Sequence, residues 1–251
     1  MIISHSRKFI FIKTIKTAGT SLEIALSKYC GGADVITPIS GKDEALRRRI
    51  AGRGAQNYGH PVGRYAARDV LRRLALGKMP RRFDEHASAR EIRREVGPEI
   101  WDSYFKFTVV RHPFDRAISR YFWQTAFIAE KGREDRMDFT DFDQFLHYRA
   151  GLINENWALY TEWDRVLVDH AVKYEELEAG LAEVSARIGL KHNLFEDMKS
   201  VRTKDTQRAP EARQDVFLTP SQRQLIALLC AKEMETFGYG STSETGAAAA
   251  G

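Results

Sequence analysis

The stretch that decides the fold is Lys8–Tyr29, KFIFIKTIKTAGTSLEIALSKY. Phe9–Ile12 is an unbroken run of aromatic and β-branched residues, the pattern of a short strand buried on both faces, as inside a parallel sheet. Lys13–Gly19 follows as a polar turn with one glycine. Thr20-Ser21-Leu22-Glu23 has capping-box spacing, Leu22, Leu26 and Tyr29 repeat on one helical face, and Gly31-Gly32 ends the helix. The predicted unit is strand, tight loop, helix. The first N–H groups of a helix lack internal partners and sit at the positive end of its dipole. A loop that aims Lys16, Thr17, Thr20 and Ser21 at that point suits a phosphate-like anion. The alternative is an ordinary capped helix preceded by a solvated lysine. A Walker A loop is disfavoured, because that motif places its lysine after the second glycine and here Lys16 precedes Gly19.

Around this unit, 251 residues with 43% hydrophobic content suit one large α/β domain or two small ones. A formal charge of +5 favours an anionic partner. The two cysteines, Cys30 and Cys230, lack the spacing of a metal cluster or a disulfide framework, so no metal is expected. The first apolar run is too short for a signal peptide or a membrane span, and the chain reads as cytoplasmic. Residues 33–85 read as a basic helical insertion covering the site, with 12 Lys/Arg against 3 Asp/Glu between Lys42 and Arg82. Arg64–Leu76 has the spacing of a basic amphipathic helix, and Arg47–Arg49, Arg64, Arg68, Arg72 and Arg73 are the densest positive charge in the chain. That charge fits an acidic acceptor or, equally, a solvated face. Neither a nucleic-acid partner nor a membrane span is expected.

His86 stands in the loop before Ser88-Ala89-Arg90-Glu91, a second capping box, whose helix buries Ala89, Ile92 and Val96 and stops at Gly97-Pro98. Phe105–Val110 reads as a second buried strand, followed at once by Arg111-His112-Pro113, with the proline at a helix start. The long helix places Phe114, Ala117, Ile118, Tyr121, Phe122 and Thr125 inward, with Asp115, Arg116, Ser119, Arg120 and Trp123 on the other side. Arg111 at a strand's carboxyl end, with Ser119 farther along, fits a second phosphate. A salt-bridged arginine and a neutral surface serine are the plain alternative. Val166–Val172 reads as a strand, Glu176–Ile188 as a helix, Val201–Ala212 as a polar loop, Thr219 to about Phe237 as a last helix, and residues 241–251 as a disordered tail.

KTAGTSL at Lys16–Leu22 and VVRHPFDRAISRY at Val109–Tyr121 resemble the two donor-binding motifs of sulfotransferases. The likeness is to the carbohydrate sulfotransferase family 2 group that includes heparan sulfate 2-O-sulfotransferases. HASAREIRREVGPEIWDSYFKF and VKYEEL also look like that group. The resemblance implies a P-loop NTPase-like three-layer α/β fold with a central parallel sheet flanked by helices, forming a single domain over 1–240. It also implies 3′-phosphoadenosine 5′-phosphosulfate as donor cofactor, leaving adenosine 3′,5′-bisphosphate, and an acceptor hydroxyl, which the basic insertion would suit if carried on an acidic glycan or a small anionic metabolite. Lys16, Thr17, Ala18, Gly19, Thr20 and Ser21 would match the 5′-phosphosulfate loop, and Arg111 and Ser119 the 3′-phosphate site. Ile15 stands where many relatives have proline. His86 resembles the histidine that acts as base in that group, with His60 and His112 in reserve. A kinase-like P-loop enzyme and a non-catalytic polyanion-binding protein are the competing readings.

Overall fold

The computed structural model describes residues 1–60, 81–133, 135, 137–201 and 217–240. The predicted helix Arg64–Leu76, most of the polar loop 201–212 and the tail 241–251 lie outside the described residues. The chain divides into two compact units, Met1–Val110 with Leu159–Asp205, and Arg111–Ala158 with Thr206–Gly251.

The first unit is built on a five-stranded sheet: β1 (Ile2–Ser4), β2 (Phe9–Ile12), β3 (Val35–Ile36), β4 (Phe105–Val110) and β7 (His170–Lys173), in the order β3-β1-β2-β4-β7. Strands β2, β4 and β7 run parallel, with Ile12 opposite Thr108 and Phe107 opposite His170. Strand β1 is antiparallel to both neighbours. The sheet is therefore mostly parallel, and the sequence reading missed both β1 and β3. Alternation along β2 explains its unbroken apolar run. Phe9 and Phe11 enter one core with Leu22, Leu26, Phe107, Val109, Val172 and Leu181. Ile10 and Ile12 enter the other with Met1, Ile3, Phe83, Ile92 and Trp101. Helices α1 (Gly19–Ser27), α9 (Leu177–Arg187) and α10 (Leu194–Lys199) supply residues to the first core. Helices α3 (Ala89–Val96) and α4 (Pro98–Ser103) cover the second. The result is the expected three-layer, P-loop-like α/β architecture. The predicted strand Val166–Val172 is split: Arg165–Val166 (β6) pairs with Thr161–Glu162 (β5) as a separate hairpin.

Residues 33–85 are less of an appendage than their composition suggests. Val35–Ile36 is an edge strand of the sheet, and α2 (Gly41–Ala51) is capped by Ser40, whose side chain accepts from the Asp43 N–H.

In the second unit α5 (Pro113–Glu130) is followed by α6 (Phe142–Tyr148) and α7 (Ala150–Ile153), and the unit ends in α11 (Pro220–Leu229) and α12 (Ala231–Phe237). A short turn, α8 (Trp157–Tyr160), leads back into the first unit. Thr219 and Gln222 form a full capping box for α11, and the predicted last helix breaks at Cys230. Phe114, Ala117 and Ile118 are buried as expected, whereas Phe122 is exposed. Arg116 does not lie on a solvated face. It is buried, donating to both Glu233 oxygens at 2.5 Å and to the Ile153 carbonyl at 2.9 Å. A buried guanidinium needs such partners, and Glu233 is too far along the chain for helical spacing to reveal it.

Candidate active site

The carboxyl ends of β2 and β4 are tied together by threonines. Thr108 Oγ1 donates to the Ile12 carbonyl at 2.8 Å, and Thr14 Oγ1 donates to the Val109 carbonyl at 2.5 Å. Thr14 and Thr17 hydroxyls lie 2.8 Å apart, folding the loop onto the strand end. Lys16 and Ala18 are left-handed, at φ 63° and 60°. Side chains in that region cost about 1 kcal/mol or more each, so the turn is held by its surroundings. Gly19 is buried, and a Cβ there would meet Lys13 Cγ at 2.9 Å and the Thr14 carbonyl at 3.3 Å. Helix α1 begins at Gly19 with Ala18 as N-cap and no side-chain cap. The expected Thr20–Glu23 capping box is therefore not formed, because the helix starts before Thr20 and Glu23 is drawn inward.

Glu23 is fully buried. It faces Lys13 Nζ at 2.8 Å, the Met1 amine at 3.0 Å and Arg47 Nη1 at 3.4 Å. Burial alone pushes its carboxyl pKa up, but the Met1 ammonium and Lys13 outweigh that and pull it down to about 2. Lys13 also pairs with Glu85 at 2.5 Å. Sequence reading assigned none of these residues to the site. The available signal was a lysine closing an apolar strand, since such a lysine must be paired if it is buried. Arg47, expected among the solvent-facing positive groups, is fully buried and bonded to Glu44 and to the Thr37 carbonyl at 3.0 Å. It cannot attract an acceptor from solution. Arg64, Arg68, Arg72 and Arg73 lie outside the described residues.

His86 sits where the sequence places it, just before the Ser88–Glu91 capping box of α3, both halves of which are formed. Phe83 and Ala87, both buried, pin its loop. Its Nδ1 lies 2.9 Å from the Lys13 carbonyl. A carbonyl cannot donate, so Nδ1 carries the proton in this bond and Nε2 is left with a lone pair. Burial is the main influence lowering its pKa, reinforced by the Lys13 charge and opposed by the carbonyl bond and by Glu85. The ring is therefore neutral near pH 7.

Arg111 directly follows β4 and is buried, with Nη2 3.3 Å from Asp115. Asp115 and half-buried Ser119 are four residues apart on α5 and share a face. His112 is the N-cap of α5: Nδ1 accepts from the Phe114 N–H at 3.3 Å. That is a structural role for one of the reserve histidines. His60 lies beside the Gly59–Arg81 bridge.

A cavity of about 710 Å³ lined by Arg90, Arg93, Arg94 and Trp101 belongs to the other end of the sheet. Helix α4 feeds β4 at its amino end, about 20 Å from the carboxyl end for a six-residue strand. Ligands of open α/β sheets bind at the carboxyl ends.

A strand, a left-handed lysine loop, a helix amino end and a neutral histidine are general anion and proton chemistry. The model of the Sulfotransferase family matches residues 1–240. The chain belongs to this family. It is also similar to an uncharacterized protein of Archaeoglobus fulgidus, 31% identical over 106 residues, which is 41% of this chain and 82% of that protein. No solved structure matches the chain. As a member of the Sulfotransferase family the chain is a sulfuryl-transfer protein. Among the described residues no helix is long and apolar enough to cross a membrane, and no group of three or more His, Cys, Asp or Glu is arranged to hold a metal ion.

Proposed function

We propose that residues 1–240 act as one sulfotransferase domain moving the sulfuryl group of 3′-phosphoadenosine 5′-phosphosulfate to an acceptor hydroxyl, with His86 as base. The observation that carries this reading is the hydrogen bond from His86 Nδ1 to the Lys13 carbonyl, which fastens a neutral imidazole to the head of the lysine loop. Lys16, Thr17 and the N–H groups of Ala18, Gly19, Thr20 and Ser21 hold the 5′-phosphosulfate. The Lys16 ammonium meets the charge that develops on the bridging oxygen as its bond to sulfur breaks. His86 Nε2 receives the proton of the acceptor hydroxyl as that oxygen bonds to sulfur. Arg111 and Ser119 hold the 3′-phosphate. The acceptor is an acidic glycan or metabolite, and screening acidic against neutral hydroxyl compounds with labelled donor identifies it.

Calorimetry tests the donor. Adenosine 3′,5′-bisphosphate should bind without magnesium and clearly tighter than ADP. A preference for ATP with magnesium would point to a kinase-like enzyme, and no nucleotide binding to a polyanion-binding protein. Arg111→Ala should weaken the bisphosphate by about 1.5–3 kcal/mol, the worth of a charge-assisted hydrogen bond, and adenosine 5′-phosphate far less. Equal losses for the two nucleotides would remove Arg111 from the 3′-phosphate.

A further inference from the structure

Lys13 grips the loop of His86 twice. Its main-chain carbonyl takes the Nδ1 proton at 2.9 Å, and its side chain, 2% exposed, holds Glu85 Oε1 at 2.5 Å. The same Glu85 oxygen lies 4.0 Å from His86 Nε2. Lys13 is in turn fixed by Glu23 at 2.8 Å, so the Glu85 carboxylate is anchored between a buried ammonium and the Nε2 edge of the ring. The Glu85 carbonyl is 3.3 Å from the Met1 amine, which steadies the main chain of the loop.

We propose that Glu85 is a positioning residue for the histidine base, held beside the Nε2 edge of the ring so that it balances the imidazolium charge once the proton has moved. This rests on the reading of His86 as base. In the transfer, the acceptor oxygen bonds to sulfur, the bond from sulfur to the bridging oxygen breaks, and its electron pair stays on the departing phosphate. The hydroxyl proton remains on Nε2, leaving a cation 4.0 Å from a carboxylate that its lysine partner keeps in place. The charged groups facing His86 are Lys13, Glu85 and the Met1 amine, and of these Glu85 favours the protonated ring. Without it, the ring would meet the Lys13 ammonium unopposed as its own charge forms.

The test uses the full chain with adenosine 3′,5′-bisphosphate bound, comparing wild type, Glu85→Gln and Glu85→Asp. His86 is followed by NMR of its ring, identified by the signal lost in His86→Gln. Removing a unit charge at this separation should lower its titration midpoint by about 0.5–1 pH unit, with Glu85→Asp between. Turnover of the donor with water as acceptor should fall about 10-fold in Glu85→Gln, less than the roughly 10²–10⁴-fold a general base itself contributes, and recover in part in Glu85→Asp. The KM for donor should stay within about twofold, as the loop itself is untouched. An unmoved midpoint, or unchanged turnover, in Glu85→Gln overturns the proposal. If Glu85→Gln no longer binds the bisphosphate, Glu85→Asp carries the test, and a midpoint equal to wild type with turnover still lost overturns it. Full turnover in His86→Gln would instead refute the base itself, whereas an inactive His86→Gln beside a neutral Glu85→Gln refutes only the role of Glu85.

Discussion

Lys16→Ala should lower donor turnover by about 10²–10³-fold, the usual cost of losing one group that stabilises charge developing in a transition state. The binding of adenosine 3′,5′-bisphosphate should weaken much less, because its 3′-phosphate is held elsewhere in the proposed site. The substitution is clean for a structural reason. Lys16 is left-handed at φ 63°, and alanine occupies that region at about the same cost, as Ala18 already does at 60°. The backbone cost of the loop is therefore about the same after the ammonium is removed. Turnover can be followed as release of the bisphosphate from the donor, with water as acceptor, and binding by calorimetry. Turnover within about threefold of wild type, in a variant that still binds the bisphosphate, would take Lys16 out of the chemistry.

Glu23→Ala should destabilise the chain by about 3–5 kcal/mol, as expected when the carboxylate shared by a buried ionic cluster is removed and its cations each lose a counter-charge. For a chain of this size that corresponds to a fall in Tm on the order of 10 °C. Lys13 and Arg47, 2% and 0% exposed at their side chains, would be left facing the gap. The same carboxylate sets an acid limit. Its folded pKa of about 2 lies below the ordinary 4.5, so its contribution is complete above about pH 4.5 and is lost as pH falls toward 2. Thermal melts of wild type and variant between pH 7 and pH 3 should converge as the acid side is approached. A variant melting within about 2 °C of wild type at pH 7 would show that the cluster adds little to stability.

Local order was legible in the sequence wherever its cause lies within a few residues. The apolar run Phe9–Ile12, the Ser88–Glu91 and Thr219–Gln222 boxes and the proline that opens α5 each appear where they were expected. His86 stands directly before a capped helix, as its place in the sequence indicates. The inward shift of Glu23 was not legible, since the same four residues at Thr20 satisfy a capping rule that the left-handed Ala18 makes unnecessary. Nor were the short strands β1 and β3, only three and two residues long, whose place is secured by the pairing of β1 with β2 and of β3 with β1. The buried charges mark the boundary most sharply. Arg116 meets Glu233, Arg47 meets Glu23 and Lys13 meets Glu85 across separations of 117, 24 and 72 residues. Composition can count such charges, but whether an arginine faces solvent or a carboxylate is decided by what the sheet and helices bring beside it. A charge enters the interior only where a distant partner offsets the loss of water.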